Sequence, residues 1–131
     1  MANWPNIDAY LDSIGIPHGV PTWAQTEGGQ HSATSLHYQG LARDYGNLDT
    51  PGGDAGCLHI FLALEQYARG PNYILQELFW PQLRCWQRGA PAPLSIDAPN
   101  HVHAGLASGK LLPIAAAPPK PKSHEEEEIL A

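Results

Sequence analysis

Apolar residues recur at Ile7, Tyr10, Leu11 and Ile14, the spacing of a single stripe on a short helix. Asn3 or Asn6 stands where a cap would begin that helix, and Gly15 with Pro17 ends it. A stronger helix is predicted behind Asp54, read as its N-cap, through AGCLHIFLALEQYARG. Cys57, Phe61, Leu64 and Ala68 fall on one face, with Leu58, Leu62 and Glu65 beside it, until Gly70-Pro71 stops the helix. Tyr73 to Trp80 (YILQELFW) is rich in aromatic and branched residues and reads as a strand ended by Pro81. Shorter strands are predicted over 20–23 and at Cys85-Trp86, and RGAPAPLSIDAPN reads as a polar, proline-rich loop. His101 to Leu106 gives the last strand. The pattern predicts an α+β fold, a small antiparallel sheet with helices packed on one face.

A length of 131 residues suits one domain with a modest core. The 13 glycines and 13 prolines predict short elements joined by many turns. From Ala115 the chain reads AAAPPKPKSHEEEEILA, where alternating Pro and Lys and four successive glutamates favour an extended, solvated segment. The expected organisation is a domain over 1–114 and a tail over 115–131, with the terminal ILA a docking point for a partner. Formal charge is −6, of which the tail supplies −2. No basic run exists to neutralise phosphates, so nucleic acid is not an expected partner. The chain has neither a basic amphipathic helix nor an apolar run of about 20 residues, so a membrane is not expected either. MANWPNIDAYLDSIG lacks the basic and apolar regions of a signal peptide. Cys57 and Cys85 read as isolated buried thiols, with a bridge between them open but unsupported.

The chemistry concentrates in SLHYQGLARD, Ser35 to Asp44, where six residues separate His37 from Asp44 and Gly40 marks a turn. HVH follows late in the chain. His101 and His103, at i and i+2 of a strand, look to the same face. Two histidines and an aspartate from such distant segments form a sufficient ligand set for a catalytic zinc, which takes three protein ligands and leaves a place for water. Other histidines weigh less. His18 and His59 read as surface residues, His31 is a weaker candidate behind Gly28-Gly29, and His124 lies in the tail. Trp23, Trp80 and Trp86 read as core aromatics, and Gly40 as a backbone device.

SLHYQGLARD resembles the SxHxxGxAxD pattern of the D-Ala-D-Ala metallopeptidases, grouped with lysostaphin-type peptidases and the hedgehog signalling domain. Ser35, His37, Gly40, Ala42 and Asp44 match its fixed positions, and His101 and His103 match the group's late His-x-His. The order of elements resembles peptidase domains of phage lysins and tail proteins that attack actinobacterial walls. Gly28, Gly29 and His31 stand for their GG-x-H, and Glu77 to Trp80 for the strand that follows their helix; the similarity spans about residues 7 to 107. The resemblance implies a hedgehog-like fold with His37, Asp44 and His103 as zinc ligands and His101 as a catalytic or outer-sphere histidine. Two features depart from the pattern. No arginine precedes Arg43, and Asp97 replaces the usual glutamate as the nearest carboxylate, six residues before His103.

The implied activity is zinc-dependent hydrolysis of an amide bond in peptidoglycan stem peptides. Zinc lowers the pKa of its water to roughly 7 and polarises the scissile carbonyl. The base is Asp97 or His101, with Glu77 third; His101 alternatively stabilises the oxyanion. Lack of a signal peptide suits an enzyme that waits in the host cytoplasm for holin release, or one carried in the virion, with the tail contacting virion proteins. Two other readings stand beside it. One is a non-catalytic zinc-containing binding or structural module of a virion tail, and the other a cytoplasmic D-Ala-D-Ala dipeptidase.

Overall fold

The computed structural model describes residues 6–19, 36 and 40–114. The expected strand over 20–23, His31, His37, His124 and the tail over 115–131 lie outside them. The described chain is α+β, with two helices and one open, fully antiparallel sheet of five strands. Helix α1 (Ile7–Ser13) precedes β1 (Ala42–Gly46), and α2 (Asp54–Leu64) precedes β2 (Leu75–Trp80). The strands β3 (Arg84–Gln87), β4 (Ala90–Ala92) and β5 (His101–Leu106) complete the sheet. Its order is β1-β5-β2-β3-β4, so the last strand in sequence is inserted between β1 and β2.

Alternation along the strands divides the sheet into two faces. Tyr45, Leu78, Trp80, Val102, Ala104 and Leu106 share one buried cluster with Ile7, Tyr10 and Leu11 of α1 and Cys57, Ile60, Phe61 and Leu64 of α2. Both helices therefore cover one face, as the pattern predicts. The stripe on α1 is shorter than expected, because the helix ends at Ser13 and Ile14 is left 45% exposed. Asp54 is the first residue of α2 rather than its cap. Gly53 takes the cap position at φ 60°, and Asp54 bonds instead to Asn47 and Gln82. The α-helix also stops earlier than Gly70, passing into a 3-10 turn over Glu65–Tyr67. The stretch expected to be loop contains β4 and a 3-10 turn at Leu94–Ile96. Pro91 conceals the strand in the sequence, yet β4 lies at the sheet edge, where a residue without an N–H is tolerated.

Polar contacts fasten α1 to the sheet. Asp8 forms an ion pair with Arg43 (3.2 Å) and accepts a hydrogen bond from the Tyr45 hydroxyl, and the Arg43 guanidinium stacks over the Tyr45 ring. His18 is not the surface residue expected. Its side chain is only 9% exposed, with Nε2 2.8 Å from Asp12 Oδ1 and the ring edge-on to Tyr45. Asn6 occupies the N-cap position of α1 without capping it. Its amide donates to Leu112 O (2.9 Å) and accepts from Leu112 N (3.0 Å), tying the segment after β5 to the start of α1.

On the 3-10 turn after α2, Glu65 accepts two hydrogen bonds from Arg84 (2.6 and 2.8 Å) and one from Trp86 Nε1 (2.8 Å). The Arg84 hydrogen bond outweighs burial and holds the Glu65 carboxyl below its ordinary value. Cys57 donates to Tyr45 O from the helix side, while Cys85 faces the other side of the sheet; both are buried and free.

Two measurements check these contacts. Asn6→Ala removes two long-range hydrogen bonds and is expected to cost about 1–3 kcal/mol in urea denaturation. Glu65→Gln is expected to lower the urea midpoint at pH 7. A carboxylate with a depressed folded pKa stabilises above its unfolded value, and that contribution fades as pH falls through the folded one. The gap between wild type and Glu65→Gln should therefore close as pH falls below the ordinary value of 4.5.

Candidate functional site

The face of the sheet opposite the helices carries Asp44 from β1, Glu77 and Phe79 from β2, and His101, His103 and Gly105 from β5. Asp44 and His103 are direct cross-strand partners although they are 59 positions apart in sequence. Asp44 Oδ1 lies 3.0 Å from His103 Nδ1 and 3.8 Å from His101 Nε2. His101 Nε2 is 3.2 Å from Asp97 Oδ2, and its Nδ1 is 2.8 Å from Asn100 Oδ1. Asp97 also accepts from the Ala98 N–H at 2.8 Å, so it makes the turn contact and the histidine contact together. Of the site residues nominated from the sequence, Asp44, Asp97, His101 and His103 thus converge, while His37 lies outside the described residues.

His103 is held on several sides. Its Nε2 lies 2.8 Å from Glu77 Oε1, and the Phe79 ring stacks on it at 5.1 Å between centroids and 19° between planes. Burial disfavours the imidazolium, but hydrogen bonds to Asp44 and Glu77 outweigh it and raise the pKa to about 9. At His101 burial again works against the cation, and the hydrogen bond with Asp97 and the charge of Asp44 raise the pKa overall. Asp97 is shifted the other way. Burial raises its carboxyl, and the contacts with His101 and the Ala98 N–H lower it by more.

The approach to β1 is also set locally. Leu41 N–H donates to Leu36 O at 2.9 Å, Leu41 O accepts from Leu106 N–H, and Gly40 takes φ 71°, the backbone role expected of it. Leu36, the residue before His37 in the sequence, lies against Gly105, where an added Cβ would come within 2.5 Å of Leu36 Cδ1.

The donor chemistry suits zinc. Two ligands bonded to a tetrahedral zinc at 2.0–2.1 Å sit about 3.3 Å apart. The separation of 3.0 Å between Asp44 Oδ1 and His103 Nδ1 is that of the hydrogen bond they make, a little shorter than that value. Among the described residues alone, no group of three or more His, Cys, Asp or Glu side chains is placed to hold a metal ion. No helix among them is long and apolar enough to cross a membrane.

Glu77, the third base candidate in the sequence, makes a contact with His103 that neither motif announces. The usable signal is the three-residue spacing of Leu75 and Leu78, both fully buried, which strict strand alternation forbids. Comparison with known proteins adds no relative, since no family model, curated protein or solved structure matches the chain.

A double-mutant cycle tests the packing beneath the site. Gly105→Ala is expected to cost about 1–3 kcal/mol by overpacking against Leu36. Leu36→Ala in the same chain should recover part of that loss in urea denaturation, so the two effects should not add.

Proposed function

We propose that this chain is a zinc-dependent peptidase, with a D-Ala-D-Ala-peptidase and hedgehog-like fold, that hydrolyses an amide bond in peptidoglycan stem peptides. The observation that carries the reading is the direct pairing of Asp44 with His103. One belongs to the SxHxxGxAxD pattern and the other to the late His-x-His, and they meet across two adjacent strands. The proposed ligands are His37, Asp44 and His103. The resemblance to phage lysin and tail domains makes the chain a phage product, deployed from the host cytoplasm or from the virion.

Zinc, when bound there, acidifies the attacking water and polarises the scissile carbonyl. Asp44 supplies the negative ligand, and His103 a neutral one once its Nδ1 is free of its proton. Glu77 is committed to His103, which leaves proton handling to Asp97 and His101. His101 is the more accessible histidine of the pair on β5, its side chain 18% exposed against 8% for His103. Its raised pKa favours the protonated ring, suited to donating toward a developing oxyanion or a leaving amine. Asp97 orients that ring, and its lowered pKa keeps it the charged partner of the protonated imidazole.

Metal analysis should find about one zinc per chain. His37→Ala and Asp44→Ala should each abolish release of peptide fragments from purified sacculi. His101→Ala should keep the zinc and lose roughly 10²–10⁴-fold in rate. Full activity in metal-stripped protein would refute the mechanism. Stoichiometric zinc without turnover on any muropeptide would favour the binding module. Cleavage of free D-Ala-D-Ala with intact sacculi untouched would mark a dipeptidase. Mass spectrometry of the digestion products identifies the bond.

A further inference from the structure

Beyond the ligands and the proton-handling pair, one side chain on the same face is placed by an irregularity of the sheet. Leu75 pairs with Leu106, but the register then slips, so that Glu77 pairs with Gly105 and Phe79 with His103. Had the first register continued, Leu78 would stand opposite His103 and Glu77 would turn to the helix face. The slip at Gln76 leaves Leu75 and Leu78 both in the core and still delivers Glu77 and Phe79 to the histidine. Three constraints then converge on one ring. Phe79 fixes its plane, Glu77 takes Nε2 at 2.8 Å, and Nδ1 is left facing Asp44 at 3.0 Å. Gly105 stands opposite Glu77, where an added Cβ would make ordinary van der Waals contact with Glu77 Oε1 at 3.4 Å.

We infer that Glu77 is the positioning residue of the metal centre: by accepting the Nε2–H of His103, it presents Nδ1 as the metal-binding atom. The inference rests on the zinc reading given above and adds to it the ring nitrogen used and the residue that selects it. A carboxylate behind a metal-bound histidine fixes the tautomer and raises ligand basicity, and its loss typically costs 10–100-fold in metal affinity. Glu77 does not touch substrate in this role, and it is not the general base.

The test uses the whole chain and zinc alone, titrated in competition with a chromophoric chelator. Glu77→Ala is expected to weaken zinc binding by about 10–100-fold. Glu77→Gln, whose amide oxygen still accepts from Nε2–H, should recover most of that loss. Long-range proton–nitrogen NMR of the zinc-loaded wild type should show His103 protonated at Nε2 and metal-bound at Nδ1. If wild type binds one zinc and both variants bind it equally well, or if His103 carries its proton on Nδ1, the positioning role is overturned while the zinc reading survives. A wild type that takes up no zinc overturns both. Should Glu77→Ala fail to fold, the NMR tautomer decides alone.

Discussion

The pairing of β5 with strands on both its sides is the constraint on which the described structure depends. β5 is the last strand in the sequence and an interior one in the sheet, antiparallel to β1 on one side and β2 on the other. Its residues therefore serve two interfaces. Val102, Ala104 and Leu106 are buried under the helices, and His101 and His103 look the other way. Because side chains alternate with a period of two, the core fixes the direction of the histidines. A slip of one residue would bury His101 and His103 beneath α1 and α2.

The two faces handle charge differently. On the helix side, Glu65 with Arg84 and Asp8 with Arg43 are opposite charges in direct contact. On the other side, among the described residues, Asp44, Glu77 and Asp97 surround two imidazoles, three carboxylates to two rings. An excess of acid around partly buried imidazoles suits a cation, which is the physical basis for proposing a metal there.

Much of the fold was legible in the sequence. Helical periodicity marks Ile7 to Leu11 and the face of Cys57, Phe61 and Leu64, because burying such stripes is what drives the helices onto the sheet. HVH declares its own shared face. What stayed hidden depends on tertiary context. Pro91 argues against a strand, and only its place at the sheet edge makes it harmless. His18 sits among prolines and glycines yet is half-buried, with its side chain held by contacts with α1 and Tyr45 that no local pattern announces. Asn6 resembles a cap, and its partner Leu112 is 106 residues away. In the site, the resemblance to the SxHxxGxAxD and late His-x-His patterns singles out Asp44, His101 and His103, and the fold brings those side chains and Asp97 together. Glu77 is obscured because strict alternation fails at Gln76.

That failure of alternation also bears on how such a chain can change over evolutionary time. A surface turn with few outside contacts can gain or lose a residue and leave its flanking elements intact. Within β2 the extra residue is what a change of length can touch. Removing Gln76 would restore an even ladder and leave Leu75, Glu77, Leu78 and Phe79 on the sides they now occupy, so the strand can shed its irregularity without turning the site's side chains into the core.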